Sequence, residues 1–155
     1  MVIDIMQKDE LILFSNEMEH LEDYIKLEQV RFGDRIQFRE DIQVSDFLIP
    51  PLVLQPLVEN AIKHGLLVKP EGGTVWLSAI QEKQDIMITI RDDGIGFDPD
   101  TLEKSKQNND SVGISNVVFR LEYMMNGSFH IKSNVGQGTT VTIRIPYQKE
   151  RDVGN

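Results

Sequence analysis

The 155-residue chain carries a formal net charge of −9 and contains no cysteine. The missing cysteines exclude disulfides, thiolate metal sites and cysteine nucleophiles, and the acidic charge argues against nucleic-acid phosphates as the main partner. With 40% hydrophobic and 26% charged residues, the composition is that of one soluble globular domain. No apolar run approaches the roughly 18 residues of a membrane-spanning helix, and the N-terminus lacks signal-peptide features, so we expect a cytosolic polypeptide.

The first predicted elements are a helix and a strand. Asn16 with Glu19 three residues later predicts a capping pair, which opens a helix running to about Val30. Residues 36–44 alternate apolar and polar side chains, as a half-buried strand does.

Residues 50–65 predict a second helix and the first candidate functional surface. Pro56 lacks an N–H and fits the first turn, and Gly65 is the predicted stop. At about 100° per residue, the side chains divide into two faces. The apolar face holds Leu54, Leu57, Val58, Ala61 and Ile62, and the polar face holds Glu59, Asn60, Lys63 and His64. Taken alone, the polar face is explained more simply by exposure to solvent.

The second half of the chain is rich in predicted strands. Its elements are strands at 74–82 and 85–92, a mobile loop at 94–110 with a helical turn at 102–106, a helix at 116–125, and strands at 129–133 and 139–145. The order α, β, α, β, β, loop, α, β, β predicts a mixed, mostly antiparallel sheet with helices on one face. The fold class is therefore α+β, a two-layer sandwich, and a doubly wound fold is not expected.

The strand at 85–92 ends in a carboxylate that points into the predicted core. Because strand side chains alternate, Asp92 shares a face with three isoleucines. A buried, unpaired carboxylate is costly and needs a donor, and Gly94 and Gly96 allow a close approach of the backbone. Such a pocket suits a planar ring with an exocyclic amine. A plain Asp-Gly turn, whose carboxylate accepts from its own backbone, explains the motif equally well.

Two further glycine-containing segments can each be explained either by ligand binding or by local backbone structure alone. Gly113 precedes the predicted helix at 116–125, where backbone N–H groups suit a phosphate, although an ordinary cap by Ser111 or Ser115 explains it too. Residues 136–139 predict a hairpin turn. Walker, GxGxxG, calcium-loop, zinc and serine-hydrolase patterns are all absent.

Together and in order, these stretches resemble the GHKL ATPase superfamily. The carrying segments are PLVLQPLVENAIKHG at 51–65, DDGIGF at 92–97, SVGISNVVFRL at 111–121 and GQGTTVTIRIP at 136–146. The chain is particularly similar to the catalytic ATP-binding domain of LytS/YesM-type sensor histidine kinases, and residues 17–35 resemble the helix that precedes it. The resemblance covers about residues 12–146. It implies a Bergerat fold that holds ATP between helices and a flexible lid at 98–110.

The resemblance also implies roles for individual residues. Asn60 matches the ligand of Mg²⁺, Glu59 the acidic position that polarises the attacking group, and Lys63 and His64 positions near the phosphates. Asp92 matches the acceptor of the adenine amino group. The glycine-box positions are Gly94 and Gly96 beside the base, Gly113 and Ile114 at the end of the lid, and Gly136, Gly138 and Thr139 at the adenine end.

The implied activity is phosphoryl transfer from Mg-ATP to a histidine in a dimerisation segment outside this chain. None of His20, His64 and His130 has the sequence context of that acceptor. Two positions depart from the pattern: Ser111 replaces the first lid glycine, and Pro56 replaces an asparagine of other histidine kinases. A protein-serine kinase of the anti-sigma-factor type and a nucleotide-gated interaction module remain alternatives.

The remaining expectations concern the parent protein. Residues 1–14 are expected to be the remnant of an upstream segment, 15–146 the catalytic domain and 147–155 a frayed tail. The expected partners are ATP or ADP, the dimerisation segment and, through the full-length protein, a response regulator, with no nucleic acid. The fragment is expected to be monomeric and to lie in the cytoplasm, as part of a membrane-bound sensor.

Overall fold

The structure is a computed structural model that describes residues 11–98 and 109–150. In chain order its elements are β1 (Ile12–Leu13), α1 (Phe14–Phe32), a 3₁₀ turn (Gly33–Arg35), β2 (Ile36–Ile42), β3 (Leu48–Ile49), α2 (Leu54–Asn60) with a π-helical continuation (Ala61–Leu66), β4 (Gly73–Glu82), β5 (Asp85–Asp92), α3 (Asn109–Met125), β6 (Ser128–Asn134) and β7 (Gly138–Pro146). The five long strands form one sheet of order β2-β4-β5-β7-β6. Only β2 and β4 pair in parallel within it. The predicted mixed, mostly antiparallel sheet is confirmed.

The sheet buries one face and leaves the other to solvent. Alternate residues of β4, β5 and β7 are buried, as period-two alternation requires. These inward side chains are Val75, Leu77, Ala79, Ile86, Ile88, Ile90, Val141, Ile143 and Ile145, which share one core with the apolar faces of the three helices. The two-layer arrangement is therefore also confirmed. No helix in the described part of the chain is long and apolar enough to cross a membrane.

Helix α1 begins earlier than predicted, without the predicted cap. It starts at Phe14, and its N-cap residue Leu13 makes no side-chain capping hydrogen bond. The Phe14 N–H donates to the Phe47 carbonyl at 2.9 Å, and the two rings stack with centroids 4.5 Å apart. The predicted Asn16–Glu19 capping pair is wrong, because the pairing of β1 with β3 leads the chain into the helix two residues before Asn16.

Helix α2 confirms the predicted division into faces but not the predicted end. All five apolar-face residues are buried, and Pro56 lies in the first turn. Gly65 does not stop the helix, since the chain continues as a π-helical segment to Leu66 and the Leu67 N–H donates to the Ile62 carbonyl at 2.9 Å. Single π-helical turns are frequent at functional sites.

Helix α3 starts at Asn109, seven residues before the predicted start at 116. Gly113 therefore lies inside the helix, not ahead of it, and the predicted helix N-terminus at that glycine is wrong, as is a cap by Ser115. One glycine costs a helix only about 1 kcal/mol relative to alanine, and the buried stripe of Val117, Leu121 and Met125 outweighs it. The predicted helical turn at 102–106 lies outside the described residues.

Two smaller differences concern the end of strand β2 and the residues that follow strand β7. Strand β2 ends at Ile42, two residues before its predicted end. The tail after Pro146 was expected to be frayed, and this is wrong for Tyr147 and Gln148. The Tyr147 N–H donates to the Gln84 carbonyl at 2.9 Å, and the Gln148 carbonyl accepts from the Leu48 N–H at 2.8 Å. The end of β7 is thus tied to the β4–β5 turn and to β3.

Candidate functional site

The polar face of α2 comprises Glu59, Asn60, Lys63 and His64. Glu59 and Asn60 are half-buried, whereas Lys63 and His64 are exposed. The Lys63 Nζ donates to the Glu59 Oε1 at 3.0 Å, an i,i+4 ion pair. Exposed pairs of this kind contribute only about 0.3–0.5 kcal/mol. Lys63 can therefore exchange this carboxylate for a more highly charged anion at little cost.

Asp92 is buried at the end of β5, as predicted, with 5% of its surface exposed. Its Oδ1 accepts from the Gly94 N–H at 2.8 Å, so the local Asp-Gly turn is present. This bond does not saturate the side chain, since a carboxylate offers about four lone-pair sites. Burial raises the pKa of Asp92 to about 6, against hydrogen bonds from the Gly94 and Thr139 backbones, and the neighbouring Asp93 charge raises it further. The pKa of Asp92 thus lies about one unit below neutral pH, so the side chain is mostly ionised there.

Gly65 joins the polar face to this carboxylate. It directly follows His64, and a Cβ added at Gly65 would lie 2.9 Å from the Asp92 Oδ1. A Cβ added at Gly94 would strike the Gly65 backbone, and the Ile95 N–H donates to the Gly65 carbonyl at 3.3 Å. The end of α2 and the loop after β5 are therefore packed backbone against backbone.

The β6–β7 hairpin closes the other side of the same loop. The predicted turn is confirmed, and its Gly136 N–H donates to the Ile95 carbonyl at 2.6 Å. Gly96, at φ +65°, has no room for a Cβ beside the Asn134 carbonyl, and Gly138, at φ +89°, has none beside the Asp92 carbonyl. Positive φ and close approach both require glycine here. We call Gly65, Asp92, Gly94, Gly138 and Thr139 the carboxylate end of the site.

Ser133 supports the carboxylate end and was missed by sequence reasoning. It is 3% exposed, and its Oγ accepts from the Phe97 N–H at 2.9 Å. The same hydroxyl contacts the Gly138 carbonyl at 3.1 Å and the Thr139 hydroxyl at 2.8 Å. A signal existed: Ser133 follows Ile131 with period two on the inward face of β6, where a serine needs polar partners.

Two further charged residues hold the site's elements together. The buried Glu17 Oε1 on α1 accepts from the Val53 N–H at 3.1 Å and the Leu54 N–H at 3.2 Å, which caps the start of α2. Lys69 donates from its Nζ to the Asp93 carbonyl at 2.8 Å, and its charge lowers the pKa of Asp92. The sequence did contain a signal for Glu17, because it lies four residues before Leu21 and so on the apolar stripe of α1. No sequence pattern indicated the role of Lys69.

The two residues predicted at the end of the lid lie apart from this packing. Gly113 and Ile114 are in the first turns of α3, and both are partly exposed. A Cβ added at Gly113 would meet no atom within 4 Å. Nothing in the described part of the chain therefore requires a glycine at this position.

The donor set of the polar face fits a magnesium ion that arrives with phosphates. Mg²⁺ is usually held by one or two protein oxygens together with waters and substrate phosphates. Asn60 offers one amide oxygen beside the Glu59 carboxylate. Within residues 11–98 and 109–150, no group of three histidine, cysteine or acidic side chains could hold a metal by itself. The residues present thus suit a metal shared with a ligand.

One family model matches the part of the chain that contains this candidate site. The model of the family described as histidine kinase-, DNA gyrase B- and HSP90-like ATPases matches residues 49–149, which include both the polar face and the carboxylate end. The chain belongs to this family, and it is an ATP-binding domain. The predicted superfamily is confirmed.

Within the family, the chain is similar to sensor histidine kinases. It is 34% identical over 148 residues to the sensor histidine kinase YpdA of Escherichia coli K12, covering 93% of this chain. It is 32% identical over 152 residues to the sensor protein LytS of Bacillus subtilis, covering 92%. The chain spans 26% of the length of each relative. The catalytic domain of the histidine kinase ThkA shares its fold, with a TM-score of 0.70 at 16% identity, over 89% of this chain and 95% of that one.

Proposed function

We propose that this chain is the catalytic domain of a two-component sensor kinase, binding Mg-ATP and transferring its γ-phosphate to a histidine on a dimerisation segment. One observation carries the proposal: Gly65, which directly follows the polar-face residue His64 in the chain, packs against the Asp92 carboxylate. A base acceptor and a set of phosphate-binding side chains are thus joined by one rigid contact. The similarity to YpdA and LytS supports a histidine as the acceptor.

The carboxylate end is assigned to the adenine. The Asp92 carboxylate, ionised at neutral pH, accepts from the exocyclic amine, and burial strengthens this bond because water is excluded. Gly94 and Gly96 keep the backbone close to the ring, and Thr139 lies opposite Asp92 in the β5–β7 ladder. Gly138 holds the neighbouring strand against the Asp92 carbonyl.

The polar face is assigned to the triphosphate. Lys63 leaves Glu59 for a phosphate oxygen, and His64 contributes a second donor nearby. Asn60 would hold Mg²⁺ through its amide oxygen, and a bound metal would neutralise charge on the phosphates. Glu59, released from Lys63, polarises the attacking imidazole. The γ-phosphoryl group passes from the ATP oxygen to an imidazole nitrogen, and ADP departs.

Gly113 and Ile114, in the first turns of α3, are assigned to the phosphate side of the site, where the space beside Gly113 is open. The parent protein is proposed to be a membrane-bound sensor that keeps this domain in the cytoplasm and phosphorylates a response regulator. This fragment is proposed to be monomeric, because dimerisation belongs to the separate segment.

The proposal is tested with labelled ATP and a separately produced dimerisation segment that carries an acceptor histidine. We expect Mg²⁺-dependent transfer of label to the segment, in a form that acid treatment removes. Acid-stable label on a serine would identify the protein-serine kinase alternative. Nucleotide binding without transfer to any segment would identify an interaction module.

A further inference from the structure

A line of basic side chains crosses the solvent face of the sheet. The strand register places Arg39 opposite Trp76, Trp76 opposite Arg91, Arg91 opposite Thr140, and Thr140 opposite Lys132. Directly opposed residues of neighbouring strands point to the same face, and in these strands the other face is the buried one. We call these five residues the basic row. It runs perpendicular to all five strands, from β2 to β6.

The three cations of the row are available for a partner. Arg39, Arg91 and Lys132 are exposed, and none of them forms an ion pair with a residue that the structure describes. The Arg91 guanidinium lies over the Trp76 ring, 4.1 Å from its centroid. This stacking holds the arginine in place while its N–H groups stay exposed at the guanidinium edge.

Arg144 lies on the same face but, unlike the three cations of the basic row, is paired with carboxylates. It lies opposite Met87 in the ladder, and its guanidinium forms ion pairs at 3.4 Å with both Glu82 and Asp85. The chain has excess acid, with a net charge of −9. Three cations in one row without an ion pair are therefore unusual in a chain that has an excess of acidic residues.

The cations are evenly spaced. They occupy the first, third and fifth strands of the sheet, and adjacent strands lie about 4.8 Å apart, so neighbouring cations are separated by roughly 10 Å. Seven residues of an α-helix rise about 10.5 Å, which is two turns. An acidic residue at every seventh position of a helix laid across the strands would meet each cation in turn.

The charge balance favours a protein partner over other anions. Long polyanions would be repelled by the acidic remainder of the chain, and binding to anionic lipid usually takes a cluster of 4–8 basic residues. Arginine pairs with carboxylates through two parallel hydrogen bonds, and tryptophan and arginine dominate the energetics of protein interfaces.

We propose that the basic row is a docking surface for an acidic segment of another protein, with carboxylates about 10 Å apart. The surface lies on the face of the sheet opposite the helices, so the docked segment leaves the polar face and the carboxylate end open. Docking is therefore independent of nucleotide, and the proposal does not depend on the proposed kinase activity.

The test measures binding of a short, soluble poly-L-glutamate of about 20 residues, long enough as a helix to span the basic row, to the whole chain at low salt, where screening is weak. The triple variant R39Q/R91Q/K132Q is expected to bind about tenfold more weakly or worse, since each lost charge-assisted contact weakens association. The matched control R144Q removes a cation of the same face that is already paired, and it should bind like the unaltered chain. Arg39, Arg91 and Lys132 are exposed and Arg144 is half-buried, and a circular dichroism spectrum checks that each variant is folded.

Equal binding by the unaltered chain and the triple variant would overturn the proposal, as would no binding of poly-L-glutamate at all. Phosphatidylserine vesicles and duplex DNA serve as competing probes. Loss of vesicle or DNA binding in the triple variant, with poly-L-glutamate binding unchanged, would reject a protein partner in favour of that other anion. Addition of Mg-ATP should leave the affinity for poly-L-glutamate unchanged.

Discussion

The carboxylate end and the polar face lie side by side but are built in different ways. At the carboxylate end, Gly65, Gly94 and Gly138 let three backbone segments touch, so Asp92 is fixed by contacts that side-chain rotation cannot change. On the polar face, Lys63 and His64 are exposed, and Lys63 is held only by a weak ion pair. One half of the site is formed before a ligand arrives, and the other half can rearrange around it.

The two halves of the site should therefore differ in the conformational entropy that is lost when a ligand binds. A preformed acceptor for the base loses little conformational entropy on binding, whereas long side chains must be ordered around the phosphates. Substitutions at the carboxylate end should therefore affect folding as well as binding. Substitutions on the polar face should affect binding with little effect on folding.

The largest expected effect on folding comes from Gly94→Ala. The added methyl group would strike the Gly65 backbone, which cannot move aside, and overpacking of this kind costs typically 1–3 kcal/mol. We expect a loss of about 3 kcal/mol, measured by urea unfolding. Gly113→Ala is the matched control: its Cβ meets no atom within 4 Å, and alanine favours the helix by up to about 1 kcal/mol. Wild-type stability of Gly94→Ala would contradict the packed carboxylate end.

Asp92→Asn should separate binding from folding. Mg-ATP at about 100 times its Kd should stabilise the unaltered chain by about 2.7 kcal/mol, seen as a rise in Tm. The variant should lose this rise, because an amide NH₂ cannot accept from the adenine amine. Its Tm without nucleotide should not fall, since the amide oxygen still accepts from the Gly94 N–H. A normal nucleotide shift in the variant would reject Asp92 as the base acceptor.

The same substitution changes the pH dependence of stability. The folded pKa of Asp92 is about 6 against an ordinary value of 3.8, so between these values the folded chain holds more protons than the unfolded chain. Stability therefore falls as pH rises through this window, by at most about 3 kcal/mol at about 1.4 kcal/mol per pKa unit. Asp92→Asn should remove this fall, measured by urea unfolding from pH 4 to 7. A difference between the two proteins that is independent of pH would contradict a raised pKa of Asp92 in the folded chain.

Ser133→Ala should have a moderate effect. The Phe97 N–H loses its acceptor, and an unsatisfied, partly buried donor costs about 1–3 kcal/mol. Affinity for adenosine should fall as well, because this bond holds the loop that follows Asp92. Ser128→Ala on the exposed part of the same strand is the control and should leave the free energy of unfolding unchanged. If both variants unfold alike, Ser133 does not support the site.

The smallest effect on folding is expected on the polar face. Lys63→Ala removes one exposed ion pair and should cost about 0.5 kcal/mol or less. Asn60→Ala should likewise leave the Tm of the free chain unchanged, but it should weaken Mg²⁺-dependent binding of ATP more than binding of adenosine. Titration calorimetry with each ligand, with and without Mg²⁺, makes the comparison. Equal losses for ATP and adenosine would contradict the metal role of Asn60.

Much of the site was visible in the sequence because it depends on periodicity within single elements. The polar and apolar faces of α2 follow from 3.6 residues per turn, and the inward direction of Asp92 follows from the two-residue period of β5. The four glycine-containing segments were also recognisable in order. The starts of α1 and α3 were predicted wrongly from local capping signals: β1–β3 pairing leads the chain into α1 before Asn16, and α3 begins at Asn109 despite the glycine at position 113.

The sequence by itself therefore indicated the family through the resemblance of four segments in order, and short-range patterns predicted the two faces of α2 and the inward direction of Asp92. Only the tertiary structure decided that Gly65 packs on Asp92, that Glu17 caps a helix 36 residues away, and that Ser133 holds the loop at Phe97. The register that aligns Arg39, Arg91 and Lys132 was equally hidden. The physical reason is the same in each case: these contacts join elements far apart in the chain, and local periodicity carries no information about which elements meet.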